Sequence, residues 1–224
     1  MSRIKIKNTK NYIKVNNIFC IGRNYVDHIK ELNSGDIPVT PIVFLKPNSA
    51  IISAGKKIKI PEYQGKAISD NMHYEAELVI VISKDGNDIP EEIAEDYILG
   101  FAIGLDMTLR DIQTEAKKKG NPWSVSKGFY CSAPISEIIL KNKNFDPMNT
   151  EIKLIHNTIE KQHSNTNLMI FNIYKLISYI SSIFSLRKGD LIFTGTPAGV
   201  GKVNSGDKMT AILGNFLKLE IEVF

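Results

Sequence analysis

The stretch His73-Tyr74-Glu75-Ala76-Glu77-Leu78-Val79-Ile80-Val81-Ile82 decides how the chain folds. Its β-branched content marks a strand, and Ser83-Lys84-Asp85-Gly86-Asn87 ends it with turn residues. Side chains alternate along a strand, so Glu75 and Glu77 share one face while Tyr74, Ala76, Leu78, Ile80 and Ile82 form the other. Val79 and Val81 continue the glutamate face as apolar residues, so the far end of the strand reads as buried on both sides. Two like charges at the mouth of such a strand repel, and desolvation adds to the cost. A cation between them resolves both costs; an exposed strand end with two solvated glutamates avoids them.

Upstream, residues 1–17 read as a short strand or arm, with loose alternation from Ile4 to Val15, and residues 18–224 as a single domain. Asn17 to Gly22 is a short apolar run. Arg23 to Leu32 reads as a short helix with Asn24 near its N-cap. His28 and Glu31 are three apart and neighbours on one helical face. Such a pair is either a surface ion pair or a base whose tautomer and basicity the carboxylate sets. The polar loop from Asn33 to Thr40 reads as a mobile lid beside that helix. Pro41 to Leu45 is a strand closed by Lys46, which is either a snorkelling end residue or an anion contact. Lys56 to Pro61 is another strand, and Gln64 to Met72 a polar connection.

Downstream, Pro90 to Tyr97 has helical composition, with Pro90 in the first turn and Glu91, Glu92 and Glu95 in the half that favours acids. Ile98 to Leu105 is a buried strand whose two glycines permit close backbone approach or a bulge. Asp106 ends it as either a functional acid or a turn residue. Thr108 then caps a helix, with Asp111 at the capping-box position, and Gly120-Asn121-Pro122 stops that helix. Arg110 and Gln113 share a helical face. Lys127 lies in a short, partly apolar stretch as an edge-strand charge or a buried electrophilic contact. Ile135 to Leu140 is a strand, and residues 152–162 form a hairpin turning at His156-Asn157. Ile173, Leu176, Ile177 and Ile180, extended by Ile183 and Phe184, mark an amphipathic helix. The loop Thr194-Gly195-Thr196-Pro197-Ala198-Gly199-Val200-Gly201 lacks P-loop and dinucleotide signatures, and reads as an anion nest with Thr196 facing a carboxylate. Two strands, Lys208 to Leu213 and Leu217 to Val223, close an α+β chain of short strands and few helices.

Composition narrows the function. The 224 residues suffice for one large domain, and 43% hydrophobic with 23% charged content is ordinary for a soluble globular protein. A net charge of +4 without a basic cluster argues against nucleic acid, and no apolar run spans a bilayer. Two cysteines, no CxxC and no apolar leader point to a reducing compartment: the cytoplasm, with an organelle matrix as the other that fits. Glu75, Glu77 and Asp106 are hard oxygen donors with no cysteine beside them, a set that suits Mg²⁺ or Mn²⁺ better than Ca²⁺ or Zn²⁺. An anionic chelating substrate at such a site needs further cations, and Arg23, Lys46, Arg110 and Lys127 are candidates. This arrangement favours polarising a carbonyl and stabilising an enolate.

Several motifs recur in one order from about residue 18 onward. They are Gly22-Arg23-Asn24-Tyr25 with His28 and Glu31; Phe44-Leu45-Lys46-Pro47; and His73 to Leu78. Leu105-Asp106-Met107-Thr108 follows with Arg110, Asp111 and Gln113, then Lys118-Lys119-Gly120 with Pro122-Trp123 and Lys127. Met169-Ile170-Phe171, Gly189-Asp190 and the Thr194 to Gly201 loop complete the series. In this the chain resembles the fumarylacetoacetate hydrolase family, most closely its short single-domain members that act on acylpyruvates and oxaloacetate.

The resemblance implies a mixed β-sheet roll of that family's C-terminal-domain type with few helices, and a homodimer. It implies Mg²⁺ or Mn²⁺ on Glu75, Glu77 and Asp106. His28 and Glu31 are cast as the dyad that activates water, Lys127 as the group that steadies the enolate, and Arg23, Lys46, Arg110, Gln113 and Thr196 as substrate neighbours. The expected reaction is C–C cleavage in a small anionic 2-oxo acid, by acylpyruvate hydrolysis or oxaloacetate decarboxylation. Two rivals share the scaffold: an oxaloacetate tautomerase or hydroxymuconate-type isomerase, and a non-catalytic anion-binding module. No counterpart of the long N-terminal domain of the fumarylacetoacetate-specific enzymes precedes the motifs, which argues against that substrate. This chain departs from the family at Asn157-Thr158, where Asn-Gly is common, and at Gly128-Phe129-Tyr130-Cys131, where many members carry an acid.

Overall fold

A computed structural model of the chain describes residues 2–33 and 35–224. Its centre is a mixed sheet in which Ala76–Ile82 lies between Leu191–Phe193 and Ile98–Leu105. Ile18–Gly22 and Ile42–Lys46 extend one side; Ala133–Ile135, Ile51–Ser53 and the short Ile139–Leu140 extend the other. A second sheet curls over it, in the order Ile159–Asn165, Glu151–His156, Lys208–Leu213, Leu217–Val223 and Lys57–Ile58. Helices are few, as expected of the roll.

The alternation in the opening stretch divides the core in two. Leu78, Ile80 and Ile82 join one hydrophobic cluster with residues of the second sheet and with Ile173, Leu176, Ile177 and Ile180 of the helix Ile173–Ile183. Val79 and Val81 join another with Ile18, Cys20, Phe193 and the N-terminal residues Ile4 and Val15. All seven residues of Ala76–Ile82 are buried. Each large apolar side chain so removed from water contributes about 1.5–3 kcal/mol, which seats the strand that carries Glu77 firmly in the core.

The glycines of Ile98–Leu105 serve close approach. A methyl on Gly100 would meet the Ile139 carbonyl oxygen at 2.1 Å, and one on Gly104 would meet the Phe193 ring at 2.5 Å. The register shift lies on the neighbouring strand, between Val81 and Ile82.

Local expectations differ from the structure where polar residues act over long range. Residues 73–82 do not form one strand: Met72–Tyr74 pairs with Thr108–Leu109 and Gly201–Lys202 in a small separate sheet, and Glu75 stands in the gap. Asn24 is no helix cap. The helix is Val26–Glu31, and buried Asn24 instead donates to the carbonyls of Phe171 (3.0 Å) and Thr194 (2.7 Å). Thr108 caps nothing, because it lies in a strand and the helix Arg110–Lys119 begins without a side-chain cap. Residues 91–97 form a 3₁₀ helix, 62–67 fold into a small hairpin that runs into the expected polar connection, and 135–140 split between two short strands. Residues 3–14 form a hairpin, Arg3–Lys5 against Tyr12–Lys14. Ile183 is 55% exposed and falls off the apolar stripe. Of the loop expected to be a lid, Gly35 to Thr40 is largely exposed and Ser34 lies outside the described residues.

Candidate metal centre and active site

The acids meet because two strands share one register across a gap. Ala76 faces Leu105 on one side of it and His73 faces Thr108 on the other, which leaves Glu75 opposite Asp106. The Asp106 amide donates to the Glu75 carbonyl at 2.8 Å. Directly opposed residues of an antiparallel pair place their side chains side by side, and Glu77 follows two residues on along the same face. One carboxylate oxygen from each of Glu75, Glu77 and Asp106 lies within 4.8 Å of the others, and all three residues are buried.

Three cations are built into the same floor. Lys127 ends the single helical turn Ser124–Lys127, a helix where a strand or loose stretch was the expectation. Its ammonium contacts Glu75 Oε2 at 2.8 Å, Asp106 Oδ2 at 2.5 Å and Thr108 Oγ1 at 2.7 Å. Arg110 pairs with Glu75 Oε1 and donates to Gln113 Oε1 at 2.7 Å. Lys46, fully buried rather than snorkelling, stands 2.7 Å from Asp106 Oδ1 and donates to the Met107 and Lys127 carbonyls. It lies behind Asp106 and is not among the residues that line the cavity.

These contacts set the charge states. Burial opposes the charge on Glu75, but Lys127 and then Arg110 outweigh it and hold the carboxyl well below the ordinary range. Burial likewise opposes the Lys127 charge, and Asp106 and Glu75 outweigh it. Glu77 differs. Among the described residues it has no ion-pair partner, only the Gly195 amide at 2.7 Å. Burial, then Asp106 and Glu75, push its carboxyl well above the ordinary range. A buried acid beside two others thus lacks a counter-charge. A divalent cation held between the three carboxylates would supply it, and the all-oxygen donor set would suit Mg²⁺ or Mn²⁺.

A cavity lies over this floor, lined by His28, Arg23, Gln113, Lys117, Trp123 and Thr196 among others. His28 Nδ1 is 3.4 Å from Glu31 Oε2. The Gly199 amide grips Glu31 at 3.0 and 3.1 Å. Burial lowers the His28 pKa from 6.5; Glu75 and Glu31 pull it up, and Arg110 adds to the lowering. The imidazole is therefore neutral near pH 7 and able to accept a proton.

The loop Thr194 to Gly201 does bind carboxylates through its amides, but they belong to the chain: Glu77 at Gly195 and Glu31 at Gly199. Thr196 Oγ1 donates to the Ala76 carbonyl and accepts from Gln162. Gln162 is fully buried and also accepts from the Ala76 amide at 3.0 Å. Sequence reasoning missed Gln162 and Asn24 as struts of the site, because a polar residue on a hairpin or just before a short helix carries no signal of its distant partners. Lys117 was missed as a cavity residue within a run of three lysines.

The chain matches the family model described as fumarylacetoacetate (FAA) hydrolase C-terminal over residues 17–224. It is 42% identical over 207 residues to "Oxaloacetate tautomerase FAHD1, mitochondrial" of Bos taurus, covering 92% of this chain and 91% of that one. It is 44% identical over 206 residues to the protein of the same name in Arabidopsis thaliana, covering 92% and 90%. The crystal structure of fumarylpyruvate hydrolase from Pseudomonas aeruginosa in complex with Mn²⁺ and pyruvate superposes with a TM-score of 0.93. That enzyme is 35% identical, with 99% of this chain and 95% of that chain covered.

Proposed function

Because the chain belongs to the fumarylacetoacetate hydrolase family, we propose that it is a divalent-metal-dependent enzyme that acts on a small anionic 2-oxo acid through its enolate. The observation that carries this reading is the convergence of Glu75, Glu77 and Asp106, with Lys127 between two of them, beneath a cavity that His28 also lines. Relatives at 42% and 44% identity are named as oxaloacetate tautomerases. Their names put keto–enol tautomerisation of oxaloacetate ahead of the C–C cleavage favoured by the sequence reading. Acylpyruvate hydrolysis is the second reading, supported by the His28–Glu31 pair and by the pyruvate complex of the fumarylpyruvate hydrolase.

Glu75, Glu77 and Asp106 would hold Mn²⁺ or Mg²⁺, which would polarise the 2-oxo group and offset the charge of the enolate. His28, neutral and oriented by Glu31, takes a proton from the carbon beside the 2-oxo group in tautomerisation. Lys127 places its charged ammonium beside the oxygen on which negative charge builds, and the imidazolium returns its proton to that oxygen, directly or through a water, which gives the enol and restores neutral His28. In hydrolysis the same imidazole takes the proton of a water that attacks the distal carbonyl. The C–C bond between that carbonyl and the next carbon then breaks, and its electron pair becomes the enolate. Decarboxylation needs no such water, so His28 matters less to it. Gln113 orients the substrate from the cavity wall, while Thr196, its hydroxyl engaged by Ala76 and Gln162, shapes that wall. Among the described residues no helix is long and apolar enough to cross a membrane. We extend the reading to a homodimer in the cytoplasm or an organelle matrix, which sedimentation and fractionation check.

The test is a thermal shift with Mn²⁺ and oxalate, separately and together, beside a turnover screen. The screen follows oxaloacetate enol absorbance, CO₂ release and acetylpyruvate loss. Cooperative stabilisation and enol interconversion faster than the buffer rate are expected. No shift in the intact protein with metal and oxalate together overturns the metal–oxo-acid reading.

A further inference from the structure

The cations around the cavity fall into two sets. Lys127 and Arg110 are committed to Glu75 and Asp106, and Lys46 stands behind Asp106. Arg23 and Lys117 line the same cavity, yet among the described residues neither forms an ion pair with a carboxylate. Arg23 has a left-handed backbone, at φ 58°, and its Nε is buried without a hydrogen-bond partner. Lys117 reaches over from the helix Arg110–Lys119, with its ammonium 5.1 Å from the centre of the Trp123 ring. Trp123 packs edge-on against Phe44, whose ring also lines the cavity, so the ammonium sits against an apolar wall that offers no counter-ion. Lys117 keeps contact with solvent, and the desolvation it does undergo at the cavity edge, then Arg110, Arg23 and Lys127, bring its pKa down to about 8. Placing Lys117 among like charges costs free energy, and a bound anion offsets that cost.

We propose that Lys117, together with Arg23, binds a second carboxylate of the substrate, at the opposite end from the metal-chelating 2-oxo acid group. The enzyme then selects 2-oxo diacids over 2-oxo monoacids, and Lys117 is a specificity-determining residue. This rests on the proposed oxo-acid chemistry and adds to it the side chains that read the second carboxylate. One distal carboxylate meets two cations that pair with no carboxylate among the described residues, whereas a monoacid leaves both without one. A charged group left without its partner is what gives a polar site its discrimination.

The experiment compares oxaloacetate (a diacid) with acetylpyruvate (a monoacid) at saturating Mn²⁺ in the wild type, Lys117→Met and Lys117→Arg. Methionine keeps the length and the contact with Trp123 and removes the charge. The ratio of kcat/KM for diacid over monoacid is expected to fall at least tenfold in Lys117→Met, with the loss carried by KM, and to recover in Lys117→Arg. A ratio within twofold of wild type in Lys117→Met overturns the proposal and leaves Lys117 as a solvated lysine near a helix C-terminus. A ratio that falls through kcat alone overturns it too, since a binding contact shared by ground and transition states acts on KM. Oxalate carries no distal carboxylate, so its protection of the Mn²⁺ form reads the oxo-acid chemistry independently. If oxalate gives no protection in the wild type, the parent reading has failed; if it protects and the ratio is unmoved, only the Lys117 assignment has.

Discussion

The two halves of the site are built from materials of unequal strength. The floor hangs on paired core strands, with Glu75 opposite Asp106, Glu77 on the buried strand Ala76–Ile82, and each carboxylate of the first pair tied to two cations. The wall that carries His28 is one helix of six residues, Val26–Glu31, without a side-chain cap. A helix of that length is unstable on its own. It stays in place because buried Asn24 ties its approach to Phe171 and Thr194, and because Gly199 holds Glu31. The difference separates two tasks. Residues that must hold a charge at fixed spacing are sunk in the sheet; residues that must exchange protons sit on an element held by a few polar contacts.

The floor is where the largest effects are expected, and its two glutamates should differ. Glu75→Gln leaves Lys127 and Arg110 buried beside a neutral amide. Breaking a buried ion network from one side costs about 3–5 kcal/mol, read as a lower denaturation midpoint of the metal-free protein. Glu77→Gln removes an acid that has no cation partner and that burial already holds toward its neutral form. Metal-free stability should therefore stay level or rise. Both variants should lose the thermal response to Mn²⁺. Equal destabilisation by the two would break the contrast drawn between a paired and an unpaired acid.

The wall should respond in rate and not in metal binding. His28→Ala is expected to keep the Mn²⁺ and oxalate thermal shift while tautomerase turnover drops by roughly 10²–10⁴-fold, the usual contribution of a positioned base. Decarboxylation should fall less, because loss of CO₂ generates the enolate without the imidazole. A variant that lost decarboxylation and kept hydrolysis would reverse the roles given to His28 and Lys127.

The same division governs what the sequence made legible. Period-two alternation is a local property, and it assigned Leu78, Ile80 and Ile82 to one side of the core and Val79 and Val81 to the other. The helix Ile173–Ile183 and the closing strands Lys208–Leu213 and Leu217–Val223 followed from local periodicity as well. The acids could be grouped from their order along the chain, and motif order identified the family. What stayed hidden depends on partners far away. Asn24 is 147 residues from Phe171, and Gln162 is 34 from Thr196. Its neighbours along the chain leave Lys127 as either an edge-strand charge or a buried electrophilic contact, and only packing beside Glu75, 52 residues earlier, decides for the second. The amides of the Thr194 to Gly201 loop looked open to an external anion because nothing local shows that Glu77 and Glu31 already fill them.

The smallest expected effect tests whether Glu31 acts on His28 or merely anchors its helix. Burial lowers the His28 pKa from 6.5, while the hydrogen bond and charge of Glu31 raise it. A base works when unprotonated, so turnover at saturating Mn²⁺ should fall as pH drops through that lowered value, below the ordinary histidine range. Glu31→Gln removes the raising influence and keeps the size and hydrogen-bonding reach of the side chain. The acid limb of the kcat profile should therefore move to still lower pH, with a reduced plateau because the imidazole is less basic and less firmly oriented. A structural anchor alone predicts another pattern: lower stability and a lower plateau, with the limb unmoved. A limb displaced to higher pH would mean that Glu31 carries a proton rather than a charge beside His28, and the dyad would need a different base.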